Sequence, residues 1–425
     1  MPEKDGDLTV IIGAGLSGLT VAHHLPQGSQ YIILEKSGVA GGLATQFQSG
    51  DYWFDYGGHY FHFQDQTGVK DYLKQFSRFR EYQRQSKTFL LNRYIPFPVQ
   101  FHLSHLPGML RARIFQEMLV HLSTAQTGSA DPFANLRDFL RHHFGVTLTE
   151  LFFQPFLTKY YDTAIETLAA NMDKGSIPVP DLQRVQAGYA GKTFTAAGYN
   201  PVIYYPARSL RHFIENYARP LLSSIHFNEE VIALDPGRKR VTTTAGSYNY
   251  HRLITTMPLN HLLTILPANN DFPAPGLLRH TATLLSNVVL KQKRKRFHWV
   301  YLAEEKFPFY RAGLYAGQSN PVCYLERNVP PNSAATINKE RLLEDIVFTL
   351  KQLQVIVHQD EILYFDARII PVSYVIFDCH WQGLVPPLLA KLAALDIHSI
   401  GRYGTWNYSS MANDIYNAIQ FTTKL

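Results

Sequence analysis

Apolar and polar positions near the start of the chain follow a strand, helix, strand order. The short, largely β-branched run Leu8–Ile12 predicts a strand buried on both faces. The letters GAGLSG follow it directly, and apolar positions then recur at helical spacing over Leu16–Leu25. A second apolar run, Tyr31–Leu34, ends at Glu35. The pattern therefore predicts a βαβ unit whose first turn is rich in glycine.

The middle of the chain has helical periodicity. Apolar residues at three- and four-residue steps predict helices at Gly108–Ser123, Asp131–Phe144 and Thr147–Tyr160. Asp131-Pro132 is a typical helix start and Gly145 a typical stop. Before these helices, Gln85–Val99 predicts a hairpin that turns at Asn92-Arg93.

Strand patterns return after residue 202. Short strands separated by Pro236-Gly237 and Ala245-Gly246 turns are predicted between Glu230 and Thr256. A further sheet is predicted over residues 280–365, with strands at Ala282–Leu290, Trp299–Ala303, Ala312–Tyr315 and Pro321–Glu326. Near the end, residues 398–420 predict a strand, a glycine turn and a helix. The chain is thus expected to be α/β, with two or three domains.

Composition narrows the class of protein. Hydrophobic content of 46% with 17% charged residues is typical of a globular chain, and a net charge of +6 suits an anionic ligand. The basic run Lys291–Arg296 imitates a nucleic-acid patch, but its place between two strand-like runs favours a solvated hairpin end. The polar start of the chain and the lack of any apolar run of about 18 residues predict a cytoplasmic protein without a membrane segment.

Cysteine and histidine usage predicts neither a disulfide framework nor a metal site. The two cysteines, Cys323 and Cys379, are far apart and form no CxxC motif. Eighteen histidines include no HExxH pair or other metal-ligand spacing. We expect neither a resident metal nor nucleic-acid binding.

The glycine-rich turn carries the first chemical signal. Gly13 permits a tight turn, Gly15 lets the backbone approach a pyrophosphate, and Gly18 lets the helix lie close to the strand. Glu35 follows at the spacing expected for a carboxylate that holds a ribose diol, and it would repel a 2′-phosphate. These residues predict a site for FAD or NAD(H) rather than NADP(H).

Motifs further along the chain resemble those of an FAD-binding family, and this resemblance favours FAD over NAD(H). A second glycine pair follows Glu35 in KSGVAGGLA, as in the FAD-binding family that includes amine oxidases, protoporphyrinogen oxidase and UDP-galactopyranose mutase. The segments FDYGGHYFH, RYIPFPVQ, FYR and GRYG with a following Trp and Tyr resemble UDP-galactopyranose mutases in particular. The resemblance runs from Leu8 to Ile419 and implies FAD as cofactor.

The resemblance also implies a domain plan. Residues 1–65, 203–260 and 370–425 would form a discontinuous, Rossmann-like FAD-binding domain with a β-meander. Residues 66–202 would form a mostly helical substrate domain, and residues 261–369 an antiparallel-sheet substrate domain. A homo-oligomer is compatible with this plan.

Site residues are carried over position by position from these motifs. The flavin side would use His59, which belongs to a loop beside the isoalloxazine, and Arg402. The cofactor contacts implied by the motifs are Gly13, Gly15, Leu16, Ser17, Gly18, Glu35, Lys36, Gly42, Leu43, Gly57, Gly58, His59, Val231, Gly401, Arg402 and Met411. The substrate contacts implied are Phe97, Gln100, Tyr160, Arg311, Tyr374 and Tyr408, with Arg208 as a further cationic clamp.

The chain departs from the family pattern at three of these places. Tyr160 stands where relatives usually carry a Trp near the uracil. Pro206 is followed by Ala207-Arg208 rather than glycines, and Tyr374 by Val375-Ile376 rather than a proline. Arg311 also has a simpler interpretation, as a surface residue paired with Glu304 or Glu305.

The implied reaction is a pyranose–furanose interconversion of a nucleotide-diphosphate sugar. In this family N5 of reduced FAD attacks the anomeric carbon and displaces the nucleotide diphosphate, with NAD(P)H as one available reductant. The rival hypothesis is an FAD oxidase or dehydrogenase that takes a hydride from an amine or an alicyclic substrate. It shares the dinucleotide motifs but has no use for Arg311 or Tyr408.

Overall fold

The structure is a computed structural model that describes residues 8–63, 66–124, 133–170, 177–194, 200–267, 272–316, 321–330 and 337–425. Its strands, in chain order, are β1 (Thr9–Ile12), β2 (Tyr31–Glu35), β3 (Gln46–Ser49), β4 (Tyr52–Asp55), β5 (Phe79–Gln83), β6 (Ser86–Leu90), β7 (Arg93–Pro96), β8 (Val202–Pro206), β9 (Ile225–Phe227), β10 (Val231–Asp235), β11 (Arg240–Thr243), β12 (Ser247–Asn249), β13 (Arg252–Thr255), β14 (Ala282–Leu290), β15 (Trp299–Leu302), β16 (Arg311–Leu314), β17 (Val322–Val329), β18 (Ile362–Ile370) and β19 (Ile397–Ser399).

The α-helices come from all parts of the chain. They are α1 (Leu16–His24), α2 (Thr67–Leu73), α3 (Gly108–Thr124), α4 (Leu136–Leu148), α5 (Gln154–Tyr161), α6 (Leu182–Tyr189), α7 (Leu210–Ala218), α8 (Leu259–Ile265), α9 (Lys339–Gln352), α10 (Trp381–Ala393), α11 (Gly401–Gly404) and α12 (Met411–Thr422). Among the described residues, no helix is long and apolar enough to cross a membrane.

The chain divides into two compact units. The first unit contains residues 1–81, 204–279 and 380–425, and the second contains residues 82–203 and 280–379. The helices of residues 108–189 share the second unit with the large sheet, so their separation into a helical and a sheet domain stays a prediction.

The first unit is built on a parallel five-stranded sheet in the order β19-β13-β1-β2-β9. Val10, Ile11 and Ile33 are completely buried in it, as a sheet covered on both faces requires. The meander β10-β11-β12 is separate. The run Leu253–Thr256, predicted as the last short strand of the meander, contributes instead to β13, which pairs in parallel with β1. Its buried Leu253 and Ile254 fit the interior of a parallel sheet.

The second unit contains a seven-stranded sheet in the order β18-β14-β17-β16-β15-β6-β7. Its neighbours are antiparallel except β6 and β15, which run in parallel. One face is apolar and packs on α9 in a cluster that includes Leu284, Leu325 and Ile346. The alternate residues of the same strands, among them Arg311 and Glu326, belong to the opposite face. The predicted strand Ala282–Leu290 is confirmed as β14.

One predicted helix start and one predicted hairpin turn need correction. The helix predicted from Asp131 begins at Leu136, where the Asn135 side chain accepts a hydrogen bond from the Asp138 N–H. The proposed start at Asp131-Pro132 lies outside the described residues. Gly145 does interrupt the helix, with φ of 77°. The hairpin turns one residue earlier than predicted, since Leu91 and Asn92 have positive φ.

The basic run is a solvated segment, as predicted, but it is not a hairpin end, because β14 pairs with β17 and β18 whereas β15 pairs with β16 and β6. Arg294 pairs with Glu361 at 2.9 Å and Lys291 with Asp360 at 3.4 Å. The Arg294 side chain and backbone N–H groups of the neighbouring turn hold the pKa of the Glu361 carboxyl well below its usual range. Local carboxylates therefore neutralise part of this charge.

Candidate functional site

The three glycines of the first turn differ in what surrounds them. Gly13 has φ of +98°, and a Cβ there would lie 2.2 Å from Thr256 Oγ1. A Cβ on Gly18 would lie 2.0 Å from the Gly13 carbonyl oxygen. At Gly15, by contrast, a Cβ would meet nothing within 4 Å apart from its chain neighbours. Packing within the protein requires the first and third glycines, whereas the second leaves open space beside the N-terminus of α1.

Two other glycine turns converge on the same helix end. The Gly41 N–H donates to the Ala14 carbonyl at 2.8 Å, and a Cβ on Gly42 would lie 3.6 Å from Gly15 Cα. Gly401 comes from the far end of the chain, and a Cβ there would lie 2.6 Å from Ser17 Oγ. The first N–H groups of a helix lack partners within it and carry a partial positive charge. The arrangement is suited to a phosphate group at this end of α1.

Glu35 closes one side of this turn. Its Oε2 accepts from the Ala14 N–H at 2.8 Å, and its Oε1 accepts from the Ser37 N–H at 2.9 Å and the Ser37 hydroxyl at 2.7 Å. An ionised carboxylate offers about four acceptor positions, so one remains for a ligand hydroxyl. The ribose contact stays a prediction, but the carboxylate is held where α1 begins. The chain that leads to Val231 passes beside Glu35, because the Glu229 N–H donates to the Glu35 carbonyl at 2.9 Å.

A buried carboxylate precedes the loop that carries His59. Asp55, at the end of β4, is completely buried and accepts hydrogen bonds from Gln46 Nε2 at 2.7 Å and the Tyr205 hydroxyl at 2.9 Å. Burial raises the pKa of the Asp55 carboxyl to about 7, against the opposite effect of these two hydrogen bonds. The chain then turns through Gly57, whose φ is +108° and whose carbonyl accepts from the His59 N–H at 2.8 Å. Asp55 therefore fixes the root of this loop.

Arg402 and Tyr408 form a pair in the first unit. The guanidinium carbon of Arg402 lies 4.5 Å from the centre of the Tyr408 ring, and its Nη1 donates to the Ser409 carbonyl at 2.9 Å. The Ser409 hydroxyl in turn donates to Asp414 at 2.6 Å. Burial raises the pKa of the Asp414 carboxyl to about 6. Tyr408 is 45% exposed and free to meet a ligand, and Met411 begins α12 just beyond it.

Arg311 is held rigidly on the second unit's sheet. Its Nε and Nη2 donate to the two carboxylate oxygens of Glu326 at 2.6 and 2.8 Å, and Nη2 also donates to the Tyr374 hydroxyl at 2.9 Å. The simpler interpretation, a surface pairing with Glu304 or Glu305, is wrong: the Arg311 side chain is 18% exposed and Glu326 6%. Burial alone would lower the pKa of the guanidinium, but Glu326 and Tyr374 raise it well above its ordinary value. Nη1 makes no hydrogen bond to any described residue.

An aromatic row leads away from Arg311. The Tyr374 ring centre lies 4.3 Å from that of Tyr160, and the row continues through Phe156 and Tyr301 to Phe97 at centre distances of 5.5, 4.9 and 4.9 Å. The structure thus brings together four of the predicted substrate residues, Arg311, Tyr374, Tyr160 and Phe97, in one unit.

Of the three other predicted substrate residues, Gln100 lies in the second unit, whereas Tyr408 and Arg208 belong to the first. Gln100 is completely buried in the second unit, where its Nε2 donates to the Pro178 carbonyl at 2.7 Å. Its Oε1 has no hydrogen-bond partner among the described residues. Arg208 belongs to the first unit instead, where it is exposed and its Nη1 lies 3.3 Å from His212 Nε2. Arg208 is therefore not part of the Arg311 cluster within the second unit.

Comparison with known protein families identifies the cofactor that the glycine-turn site at the N-terminus of α1 would bind. The family model described as flavin containing amine oxidoreductase matches residues 16–331. The chain belongs to this family. Its residues fit FAD: the open space at Gly15, the helix end beside it and the remaining acceptor position on Glu35 would take the dinucleotide. FAD is the cofactor of this chain.

Solved structures share the fold at low sequence identity. Reduced UDP-galactopyranose mutase is 22% identical, with a TM-score of 0.88 over 98% of this chain and 94% of that chain. A CLA-producing fatty acid isomerase from P. acnes is 12% identical, with a TM-score of 0.65 and complete coverage of both chains. Putrescine oxidase bound to putrescine is 14% identical, with a TM-score of 0.64 over 99% and 98% of the chains. The fold of this amine oxidoreductase family thus serves isomerases as well as oxidases.

Sequence reasoning missed the residues that hold the predicted ones in place. Glu326 and Asp55 are both charged residues inside strand patterns; no motif contains Glu326, and Asp55 lies in FDYGGHYFH, where the resemblance marks the glycines and His59. A carboxylate in a buried strand is itself a signal, because such a group needs a partner. For Glu326 that partner is Arg311, and for Asp55 the partners are Gln46 and Tyr205.

Proposed function

We propose that this flavoenzyme interconverts the pyranose and furanose forms of a nucleotide-diphosphate sugar, as UDP-galactopyranose mutase does by name. The observation that carries the proposal is the Arg311 cluster. A net oxidase of amines has no need of a buried arginine fixed by a carboxylate beside a row of aromatic rings. The fold similarity to reduced UDP-galactopyranose mutase supports the same choice.

Arg311 is suited to a diphosphate because Glu326 uses only one edge of its guanidinium. Nε and Nη2 face the carboxylate, which leaves both Nη1 hydrogens for phosphoryl oxygens. The Tyr374 hydroxyl accepts from Arg311 Nη2 at 2.9 Å and so lies beside the same guanidinium. Arginine and phosphate form strong, directional hydrogen bonds when water is excluded.

The aromatic row offers a surface for the base. Tyr160 and Phe97 are half-buried aromatic residues of the kind on which a pyrimidine stacks, and Gln100 has a buried acceptor oxygen that a base N–H would satisfy. Bound FAD in its reduced form would supply a nucleophilic nitrogen for the anomeric carbon. The side chains then have to bind and orient the sugar nucleotide, hold the leaving diphosphate close and exclude water.

The binding half of the proposal is tested with UDP and variants of Arg311. Removal of Arg311 should weaken UDP binding by ~2–5 kcal/mol, measured by titration calorimetry. Arg311→Ala alone would leave the Glu326 carboxylate buried without its partner, so the double variant Arg311→Ala/Glu326→Gln is the proper comparison. Glu326→Gln by itself should keep most of the affinity. Equal UDP binding by the unchanged chain and the double variant would remove Arg311 from the site.

The catalytic half is tested by turnover. Purified protein is incubated with UDP-galactose or UDP-galactofuranose, with and without dithionite, and the products are separated by chromatography. Interconversion only under reducing conditions, without net oxidation, is the expected result. Bleaching of the flavin by amines, with no interconversion, would establish the oxidase alternative instead.

A further inference from the structure

Asn328 ties the end of a helix to the seven-stranded sheet. It lies on β17 opposite Thr283 of β14, and its Nδ2 donates to the carbonyls of Lys159 and Tyr160, each at 2.9 Å. These are carbonyls of the last turn of α5, which need partners from outside the helix. Asn328 therefore supplies two of the hydrogen bonds that a helix end lacks.

The orientation of this amide is fixed by its neighbours. Backbone carbonyls only accept, so the nitrogen must face α5 and Oδ1 must face the sheet. Oδ1 lies 3.2 Å from Thr283 Oγ1, which must donate to it. Thr283 Oγ1 also lies 3.2 Å from the Tyr310 hydroxyl and 2.7 Å from Ser373 Oγ. One threonine hydroxyl thus joins Asn328 to the residues that precede Arg311 and Tyr374 in the chain.

The helix end that Asn328 holds is the one that carries Tyr160. The Tyr160 ring packs against Tyr374 at 4.3 Å and against Tyr310 at 5.2 Å between ring centres. Lys159 fixes the same turn from its other side, because its ammonium donates to the carbonyls of Glu304 and Phe307 at 3.0 and 2.9 Å. A shift of this turn would therefore move the ring that packs on Tyr374, whose hydroxyl contacts Arg311.

We infer that Asn328 is a positioning residue of the nucleotide-diphosphate site: it holds the last turn of α5 so that Tyr160 and Tyr374 are in place when the ligand binds. The inference rests on the proposed function for the identity of the ligand. It adds a residue that touches neither Arg311 nor Tyr374 and that sequence motifs do not mark. Preorganisation of this kind lowers the cost of binding without adding a contact.

Two variants remove the two donors differently. Asn328→Leu removes both the donor and the acceptor of the amide and leaves a side chain of similar size. Asn328→Asp keeps an oxygen that can accept from Thr283, but it places a second oxygen, which cannot donate, against the carbonyls of Lys159 and Tyr160. Asn338→Ala is the matched control, because Asn338 caps α9 of the same unit through the Arg341 N–H and belongs to none of the contacts above. The Asn338→Ala variant should lose only the stability that the N-terminal cap of α9 provides, and α5 should be undisturbed.

Two readouts are measured on full-length holoenzyme. Both Asn328 variants should show faster hydrogen exchange in peptides covering residues 154–168 and at least a tenfold weaker Kd for UDP, with KM raised more than kcat is lowered. Asn338→Ala should change neither. If exchange in residues 154–168 or UDP affinity stays as in the unchanged protein, the inference is overturned. Failure of the unchanged protein to bind UDP would overturn the proposed function, and the exchange data would still decide whether Asn328 holds α5.

Discussion

Asp55→Asn should change how the stability of the protein depends on pH. Burial in the first unit raises the pKa of the native carboxyl from its ordinary value of 3.8 to about 7. The folded chain therefore keeps a proton on Asp55 that the unfolded chain has already lost. Between these two pH values the native state binds more protons than the unfolded state, so this group makes the protein less stable as pH rises.

The size of the effect follows from the gap between the two pKa values. One pKa unit corresponds to about 1.4 kcal/mol, so the full penalty above pH 7 is about 4 kcal/mol. About 3 kcal/mol of it should develop between pH 5 and pH 8. Asparagine cannot ionise and its oxygen can still accept from Gln46 or Tyr205. Relative to the wild type, Asp55→Asn should therefore gain about 3 kcal/mol over this range.

The assay is urea unfolding of FAD-loaded protein at pH 5, 6, 7 and 8, followed by far-ultraviolet circular dichroism. The free energies of unfolding of the wild type and the variant are compared at each pH. Asp51→Asn is the matched control, since Asp51 lies in the exposed turn of the same hairpin. Parallel pH curves for the wild type and Asp55→Asn would refute the argument, because the buried carboxyl would then not hold a proton that the unfolded chain releases.

The glycine turn and its carboxylate give two more predictions. Gly18→Ala places a Cβ 2.0 Å from a backbone oxygen and should cost at least about 3 kcal/mol of stability, whereas Gly15→Ala should fold normally and bind FAD about tenfold less tightly. Thermal melts of the apoprotein and flavin absorbance after gel filtration separate the two effects, with Gly68→Ala as a control in open space. Glu35→Ala should lose FAD more readily than Glu35→Gln, because glutamine can still accept from the Ala14 N–H. A Glu35→Ala protein that stays fully yellow through dialysis would place the ribose contact elsewhere.

Local patterns were sufficient to predict the opening elements of the first unit. The strand, glycine turn and helix of residues 9–24 follow from β-branched residues, three glycines and helical spacing, all of which act within a few residues. Long-range pairing was not accessible in the same way. Leu253–Thr256 has the pattern of any short strand, and only the parallel pairing with β1 and β19 distinguishes it from the meander.

The substrate residues show the same limit. Sequence proximity suggested Glu304 or Glu305 as the partner of Arg311, because both lie a few residues before it. The register of β16 and β17 places Glu326 directly opposite instead. Arg208 and Arg311 were grouped by charge and motif, although the fold assigns them to different units. Residue types predicted the chemistry, but strand register decided which groups meet.

The order in which the ribosome makes the chain has a consequence for assembly of the dinucleotide site. β19, Gly401 and α12, which packs on α1, follow the whole second unit in the chain. At roughly 5–20 residues per second, synthesis of Gly401 follows that of Glu35 by roughly 20–70 s. During this interval the nascent chain exposes the apolar face of α1 and, once residues 252–255 have been made, an unpaired edge of β13. Chaperones that shield hydrophobic surface should therefore associate with ribosome-bound chains until residues 397–422 emerge.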